Sequence, residues 1–372
     1  MNEDRSVRYH RLRRRAAIAS AVTGAAWLGA LATTSAASAL AARAQAAGAL
    51  LPTPIGRGVS IAVFIAFIAI GWELLSLPFV IYRNFLLERT YGLSSERLPS
   101  WVRNHLKALA VGLPLTIAAG LAIYAAMELV GGLWWALGAL LFAAAGAVLS
   151  GLAPVVLMPI FYRFRPLERD ALRERLLAIS NRAGVPVLGA FEWGLGEKTT
   201  RANAALVGVG RTRRIILSDT LLEHYSDDEI EVILAHEIAH HVHHDIWSAL
   251  ALETLIVAAA LLGAHAAVIL FAGPGIAGPR DLAALPLMTL AAGAVSLLLT
   301  PLGNAWSRHN ERRADRFALA LTLRPAAFIS AMRRLAAQNL ADERPSAAVL
   351  WFFHTHPTVE ERIAAARDFA AT

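Results

Sequence analysis

The stretch SDDEIEVILAHEIAHHVHHDIWSALALETLIVAAALLGAHAAVILF, residues 226–271, decides how this chain folds. It opens as a charged helix and closes as an apolar run. Ser226 followed three residues later by Glu229 is a capping box: the serine side chain accepts from the N3 amide while the glutamate reaches back. Ten residues into the stretch stands HExxH, at 236–240. Side chains four apart share one helical face, so His236 and His240 can both present a ring nitrogen to one ion. Glu237 projects beside them, placed to take a proton from a water held there. The five-residue pattern alone arises by chance on the order of a few times in a hundred in a chain this long. Its surroundings must therefore carry part of the argument. From about residue 247 the pattern turns wholly apolar, for long enough to cross a bilayer. The motif helix is expected to continue straight into that span.

Composition agrees with a membrane setting. Of 372 residues, 56% are hydrophobic and only 17% charged, where a soluble domain carries about 25% charged residues. Cysteine is absent, which excludes disulfides, iron–sulfur clusters and thiolate zinc sites. A metal must then be held by His, Asp or Glu. The net charge of +7 could suggest nucleic acid, but its placement argues against that partner. The arginines gather at the N-terminus and in short segments flanking apolar runs, where membrane topology puts them. The Ala- and Arg-rich, Lys-poor balance fits a GC-rich bacterial genome.

Six apolar stretches reach the roughly 20 residues a helical span needs: 16–36, 58–82, 107–130, 133–160, 247–272 and 283–303. The first, with its arginine-rich start and small-residue tail, also fits a secretory signal peptide; a retained span is the preferred reading. Arginines before the first span, and Arg83, Arg89, Arg97, Arg103 and Lys107 after the second, place those segments in the cytoplasm. Both termini follow, together with the polar stretches 161–246 and 304–372. Two regions are expected: an N-terminal membrane region, 1–160, with about four spans, and a region 161–372 holding the HExxH helix, two further spans and C-terminal cytoplasmic helices. Within 161–246 the periodicity predicts a helix over LERDALRERLLAISNRAG, then a hairpin of ANAALVGVG and RRIILSD.

Topology supplies a third ligand. His240 lies about 7 residues before the fifth span and Glu311 about 8 after the sixth, so at 1.5 Å per residue both stand at matching height beside the membrane. Two histidines, a glutamate and an open position form an established catalytic zinc set. The same donors suit iron, though the adjacent Glu237 favours zinc, one per chain. Asp315, one turn after Glu311, is suited to accept the free N–H of a ligating histidine. Taken alone, NERRADR would be a solvated charged face. His241, His243 and His244 read as polar surface at the membrane boundary, and His354 as a local structural residue. Glu253, costly in lipid, must face protein or water, either along a cavity or in an interhelical hydrogen bond.

At these residues the chain resembles the type 1 CaaX prenyl proteases, integral-membrane zinc endopeptidases, and their bacterial relatives. SRHNERRAD at 307–315 looks like that family's third-ligand signature, and RANAAL, with Asn203, like the segment on its substrate-holding edge strand. Asp219-Thr220-Leu221 resembles the block before the zinc helix, and HTHPTVEERI the segment whose histidine, here His356, stabilises the oxyanion. LLERTYGLS at 86–94 and LAPVVLMPIFYRFRPLE at 152–168 look like its membrane signatures. Ala239 stands where the family usually has glycine, His241 where tryptophan is common, and six spans are read against its usual seven.

The fold expected is therefore mainly α: a polytopic membrane helical bundle with a cytoplasmic α+β zincin-like metalloprotease domain. The expected activity is zinc-dependent hydrolysis of peptide bonds in membrane-associated or CaaX-type substrates, lipid-modified ones among them, in the bacterial inner membrane. The site expected comprises His236, His240 and Glu311 on the metal, Glu237, His356 and Asp315 in catalysis, and Asn203 on substrate. A quality-control protease of the heat-shock type would use the same residues. A zinc-binding transporter or sensor is the reading from another class, and Glu237 argues against it, since such a site has no use for a carboxylate beside the metal.

Overall fold

A computed structural model describes residues 4–53, 55–273 and 275–371. Among the described residues, five continuous helical runs are long and apolar enough to cross a membrane: Arg5–Thr33, Ile55–Thr90, Leu98–Phe161, Asp245–Phe271 and Leu282–Thr322. The third spans 64 residues and turns back at Gly131, whose φ of 55° with ψ of −123° only glycine adopts without strain. It thereby divides into helices Leu98–Val130 and Trp134–Leu152, packed on each other. The six expected crossings map onto these helices. A further helix, Ala36–Gly48, has 13 residues; at 1.5 Å each it is too short to cross a bilayer core of about 30 Å.

The membrane half packs around Phe64, Tyr124, Met127 and Trp134. Small residues permit its closest helix approaches, as at Gly24, where a β-carbon would stand 2.4 Å from the Trp72 ring. The last two spans pack against each other extensively and rise together into the polar half.

The polar half holds a four-stranded sheet in the order β1-β2-β4-β3. The expected hairpin is present: β3 (Ala204–Val207) pairs antiparallel with β4 (Arg214–Ser218). β1 (Phe164–Pro166) and β2 (Ala190–Trp193), too short to leave a periodic signal, complete the sheet, with β2 parallel to β4. The expected helix after β1 runs Asp170–Arg182. Leu172, Leu176, Ile215, Leu217, Ile230, Leu234 and Phe328 form the core between sheet and helices.

The arginine-rich start of the first helix is built into the junction between the halves. Tyr9, wholly buried, joins Glu88 and Arg201, the latter 2.8 Å from both the Tyr9 hydroxyl and Glu88 Oε2. His10 Nε2 bonds the Leu340 carbonyl at 2.7 Å, and Arg14 pairs with Asp342 at 2.9 Å.

Candidate active site

The motif helix runs Asp227–Val242 and starts at the expected capping box: Ser226 Oγ accepts from the Glu229 amide, and Glu229 Oε2 from the Ser226 amide at 2.9 Å. Asp227, Asp228 and Glu229 place negative charge on its first turn, where the helix dipole favours it. One expectation is corrected here. The helix does not continue into the membrane: His244 takes φ 57°, ψ 35°, a left-handed conformation that breaks it, and a new helix starts at Asp245. On a straight helix Asp245, five residues beyond His240, would lie about 140° away around the axis. The break returns it, and its Oδ2 lies 2.8 Å from His240 Nδ1.

The structure brings His236, His240 and Glu311 together, with one ligand atom of each within 4.8 Å of the others. Glu311 Oε lies 3.1 Å from His236 Nε2 and 3.5 Å from His240 Nε2. Glu311 and Asp315, read alone as a solvated face, are 6% and 3% exposed. Each histidine turns its other nitrogen to an acid anchored by an arginine. His236 Nδ1 lies 2.9 Å from Asp315, which Arg362 holds through two bonds. His240 Nδ1 meets Asp245, which Arg313 holds. Sequence reasoning found Asp315 but missed Asp245, Arg313 and Arg362; the helix break that delivers Asp245 leaves no mark in the periodicity, and Arg362 arrives from the helix Val359–Ala371.

These residues fit a divalent cation. Glu311 Oε2 is buried and, though 2.9 Å from His356 Nδ1, makes no hydrogen bond to it or to His236. Burial pulls the His236 pKa down, but Asp315 and Glu311 outweigh it and raise it to about 9; the acids call for positive charge that a metal ion can supply in place of the proton. Burial pushes Glu237 above the usual carboxylate range, against the pull of His236 and His240. A carboxylate so raised is a stronger proton acceptor near neutrality.

Glu237 lies at the meeting of two cavities. One, of about 690 Å³, is bordered by Asn203, Ala204, His356 and Arg362; the other, of about 640 Å³, by His240, Leu206, Ile256 and Glu253. Glu253 thus lines a cavity between the last two spans, beside Ser296 and Thr300. His356 stands on the segment after helix Ala347–Phe353, which Arg308 and Asn304 tie down by bonding the carbonyls of His354 and Trp351.

Asn203 is exposed beside β3, at the sheet edge. Its carbonyl accepts from Ser218 at 2.9 Å, so by the alternation of an antiparallel ladder Ala204 and Leu206 turn their main-chain groups to the free edge. The expectation for His241 is corrected: it is 7% exposed, not surface, and Nε2–H donates to the Leu206 carbonyl at 2.8 Å. His244 is exposed as expected, while the His243 ring meets Phe317 edge-on.

A sheet with a free edge, a motif helix beneath it and a two-histidine, one-glutamate cluster, mounted on apolar spans, define a membrane-embedded metallopeptidase. Comparison with known proteins gives the family. The model of peptidase family M48 matches residues 166–370, and one described as CAAX prenyl protease N-terminal, five membrane helices, matches residues 3–163. The chain belongs to peptidase family M48 and is a membrane metallopeptidase of the CAAX prenyl protease type. It is 28% identical over 308 residues to an uncharacterized metalloprotease of Bacillus subtilis, covering 81% of this chain and 71% of that one. It is 26% identical over 309 residues to a probable CAAX prenyl protease 1 of Schizosaccharomyces pombe (81% and 64%), and 28% over 316 to a homolog from Oryza sativa (82% and 72%). The crystal structure of S. mikatae Ste24p superposes with a TM-score of 0.73 over 88% of this chain and 79% of that one, at 22% identity, and so shares the fold.

Proposed function

We propose that this chain is a zinc endopeptidase whose ion is held by His236, His240 and Glu311 and whose general base is Glu237. The observation that carries the reading is the buried cluster of those three ligand residues, with a Glu311 oxygen left without a hydrogen bond and Glu237 at the mouth of both cavities. Bound there, zinc would supply Lewis acidity, lowering the pKa of water and polarising a peptide carbonyl. Asp315 and Asp245 hold the two imidazoles in the tautomer that leaves Nε2 free. Glu237 takes a proton from the attacking water and passes it to the leaving amine. His356, whose side chain is 61% exposed, swings from Glu311 to donate to the developing oxyanion. The substrate adds as a strand to β3, bonding the main chain of Ala204 with Asn203 at the end of the run, short of the Leu206 carbonyl that His241 engages.

The arginine-rich flanks lie on the same side as the site, so the positive-inside tendency puts catalysis on the cytoplasmic face of a bacterial inner membrane. The chain divides functionally near residue 160, the first region supplying membrane and junction contacts and residues 161–372 the chemistry. Substrates are membrane-associated proteins, with lipid-modified ones laying their chain along Ile246, Leu252 and Ile256 of the second cavity. The test is cleavage of a mixed set of farnesylated and unprenylated peptides by wild type and Glu237→Gln, with zinc counted in both. Cleavage by wild type alone, with one zinc per chain in each, is the expected result. Loss of zinc in Glu237→Gln, or turnover retained by it, refutes the assignment.

A further inference from the structure

One face of the helix Leu285–Thr322 carries Asn304, Arg308, Glu311 and Asp315, all buried. At 3.6 residues per turn these positions fall within about 60° of one another around the axis. Glu311 belongs to the metal cluster and Asp315 meets His236. Asn304 and Arg308 take no part in the cluster; what they hold is the segment that carries His356. Asn304 Nδ2 donates to the Trp351 carbonyl at 2.9 Å. Arg308 Nη1 donates to the carbonyls of Leu350, at 3.1 Å, and of His354, at 2.7 Å. Its guanidinium also stands over the Trp351 ring, 5.6 Å from the centroid.

These ties fix a part of the chain that little else fixes. The helix Ala347–Phe353 has 7 residues, none of them buried, and a helix that short does not hold by itself. Its last carbonyls need donors from outside, and a cation suits that negative end of the helix. Burying a guanidinium is costly unless its donors are met, and among the described residues Arg308 has no carboxylate partner; those carbonyls meet them. Beyond Pro357 the chain is held again from the same long helix, where Arg312 meets Glu361 at 3.1 Å and Asp315 takes Arg362. His356 is thus suspended between two anchorages on the helix that bears Glu311, with its Nδ1 2.9 Å from Glu311 Oε2. We propose that Arg308 is a positioning residue: through the carbonyls of Leu350 and His354 it sets where His356 stands relative to the metal ligands, so that one helix face places both the ion and the oxyanion donor. This rests on the peptidase reading above.

Purified full-length protein in detergent, loaded with zinc, would be given a peptide that the wild type cuts. kcat and KM would be measured for Arg308→Gln, Arg308→Lys, His356→Ala and the double variant Arg308→Gln/His356→Ala. A misplacement of about 1 Å costs up to about a hundredfold in rate, so Arg308→Gln should lower kcat by about 10- to 100-fold with KM little changed. Zinc should stay at one per chain, and Arg308→Lys, which keeps a charged donor, should recover part of the loss. The double variant should be no slower than His356→Ala alone, because a displaced His356 has no further contribution to lose. Losses that multiply in the double variant, or zinc lost from Arg308→Gln, overturn the proposal: the first separates Arg308 from His356, and the second moves its effect to Glu311. Amide hydrogen exchange tests the tie without turnover. Residues 347–357 should exchange severalfold faster in Arg308→Gln while the motif helix, 227–242, is unaffected; unchanged exchange over 347–357 also overturns the proposal. No cleavage of any peptide by wild type would count against the peptidase reading instead, with exchange still deciding the tie.

Discussion

Asp245 offers the sharpest test of how the site is built, because the sequence gives no reason to expect it there. It is 6% exposed and shared between His240 Nδ1, at 2.8 Å, and Arg313. Removing such a partner from a metal-ligating histidine typically costs 10–100-fold in metal affinity, or roughly 1.4–2.7 kcal/mol. Asp245→Asn keeps an oxygen able to accept from Nδ1–H but loses the charge, so it should fall near the lower figure, about tenfold. Asp245→Ala also frees the imidazole to rotate and leaves Arg313 without its acid, so it should approach about a hundredfold. The assay is competition for zinc between the purified protein in detergent and a chromogenic chelator, with circular dichroism as a check on folding. Affinities within twofold of wild type in both variants, with the fold intact, would refute the idea that the break at His244 exists to deliver this carboxylate.

Three further outcomes follow from local geometry. His244→Gly should leave stability unchanged or raise it by up to about 1 kcal/mol, because glycine adopts the left-handed conformation without penalty, whereas His244→Val should lower it; thermal melting in detergent reads both. Gly56→Ala should destabilise by about 1–3 kcal/mol, since its β-carbon would stand 2.3 Å from the Gly48 carbonyl oxygen, while Gly58→Ala, with nothing within 4 Å, should be neutral or stabilising in the same melt. Arg201→Ala strips Glu88, 13% exposed in its side chain, of its cation and should expose the loop before β3 to limited proteolysis at least severalfold faster; an unchanged digestion rate would mean the Tyr9–Glu88–Arg201 cluster does not hold that loop.

Glycines and helix breaks mark where the amino-acid sequence stops being informative. Apolar length alone is enough to pick out the helices able to cross, because a bilayer demands about 20 apolar residues whatever the neighbours are. HExxH is legible for a similar reason: helical spacing fixes which side chains share a face before any tertiary contact forms. The capping box at Ser226 and the hairpin of β3 and β4 are local events too, and both are present. Glu311 was reachable from topology, since two adjacent spans must return to the same side.

What the sequence does not contain is the curvature and the distant partners. A straight-helix reading runs the motif helix unbroken into the fifth span and leaves Asp245 on the wrong face; a single residue in the left-handed region reverses that. His241 reads as boundary polarity until the edge of β3 is seen to bring the Leu206 carbonyl within 2.8 Å of its ring. Arg362 lies 126 residues from His236 and Arg313 lies 68 from Asp245; no periodicity links residues so far apart. The sequence by itself determined the membrane class, the motif and the candidate donors, because these depend on composition, on spacing within one helix and on the order of the spans. Only the tertiary structure decided which acid faces which histidine and which arginines hold those acids, because those contacts join elements whose separation along the chain carries no information about their separation in space.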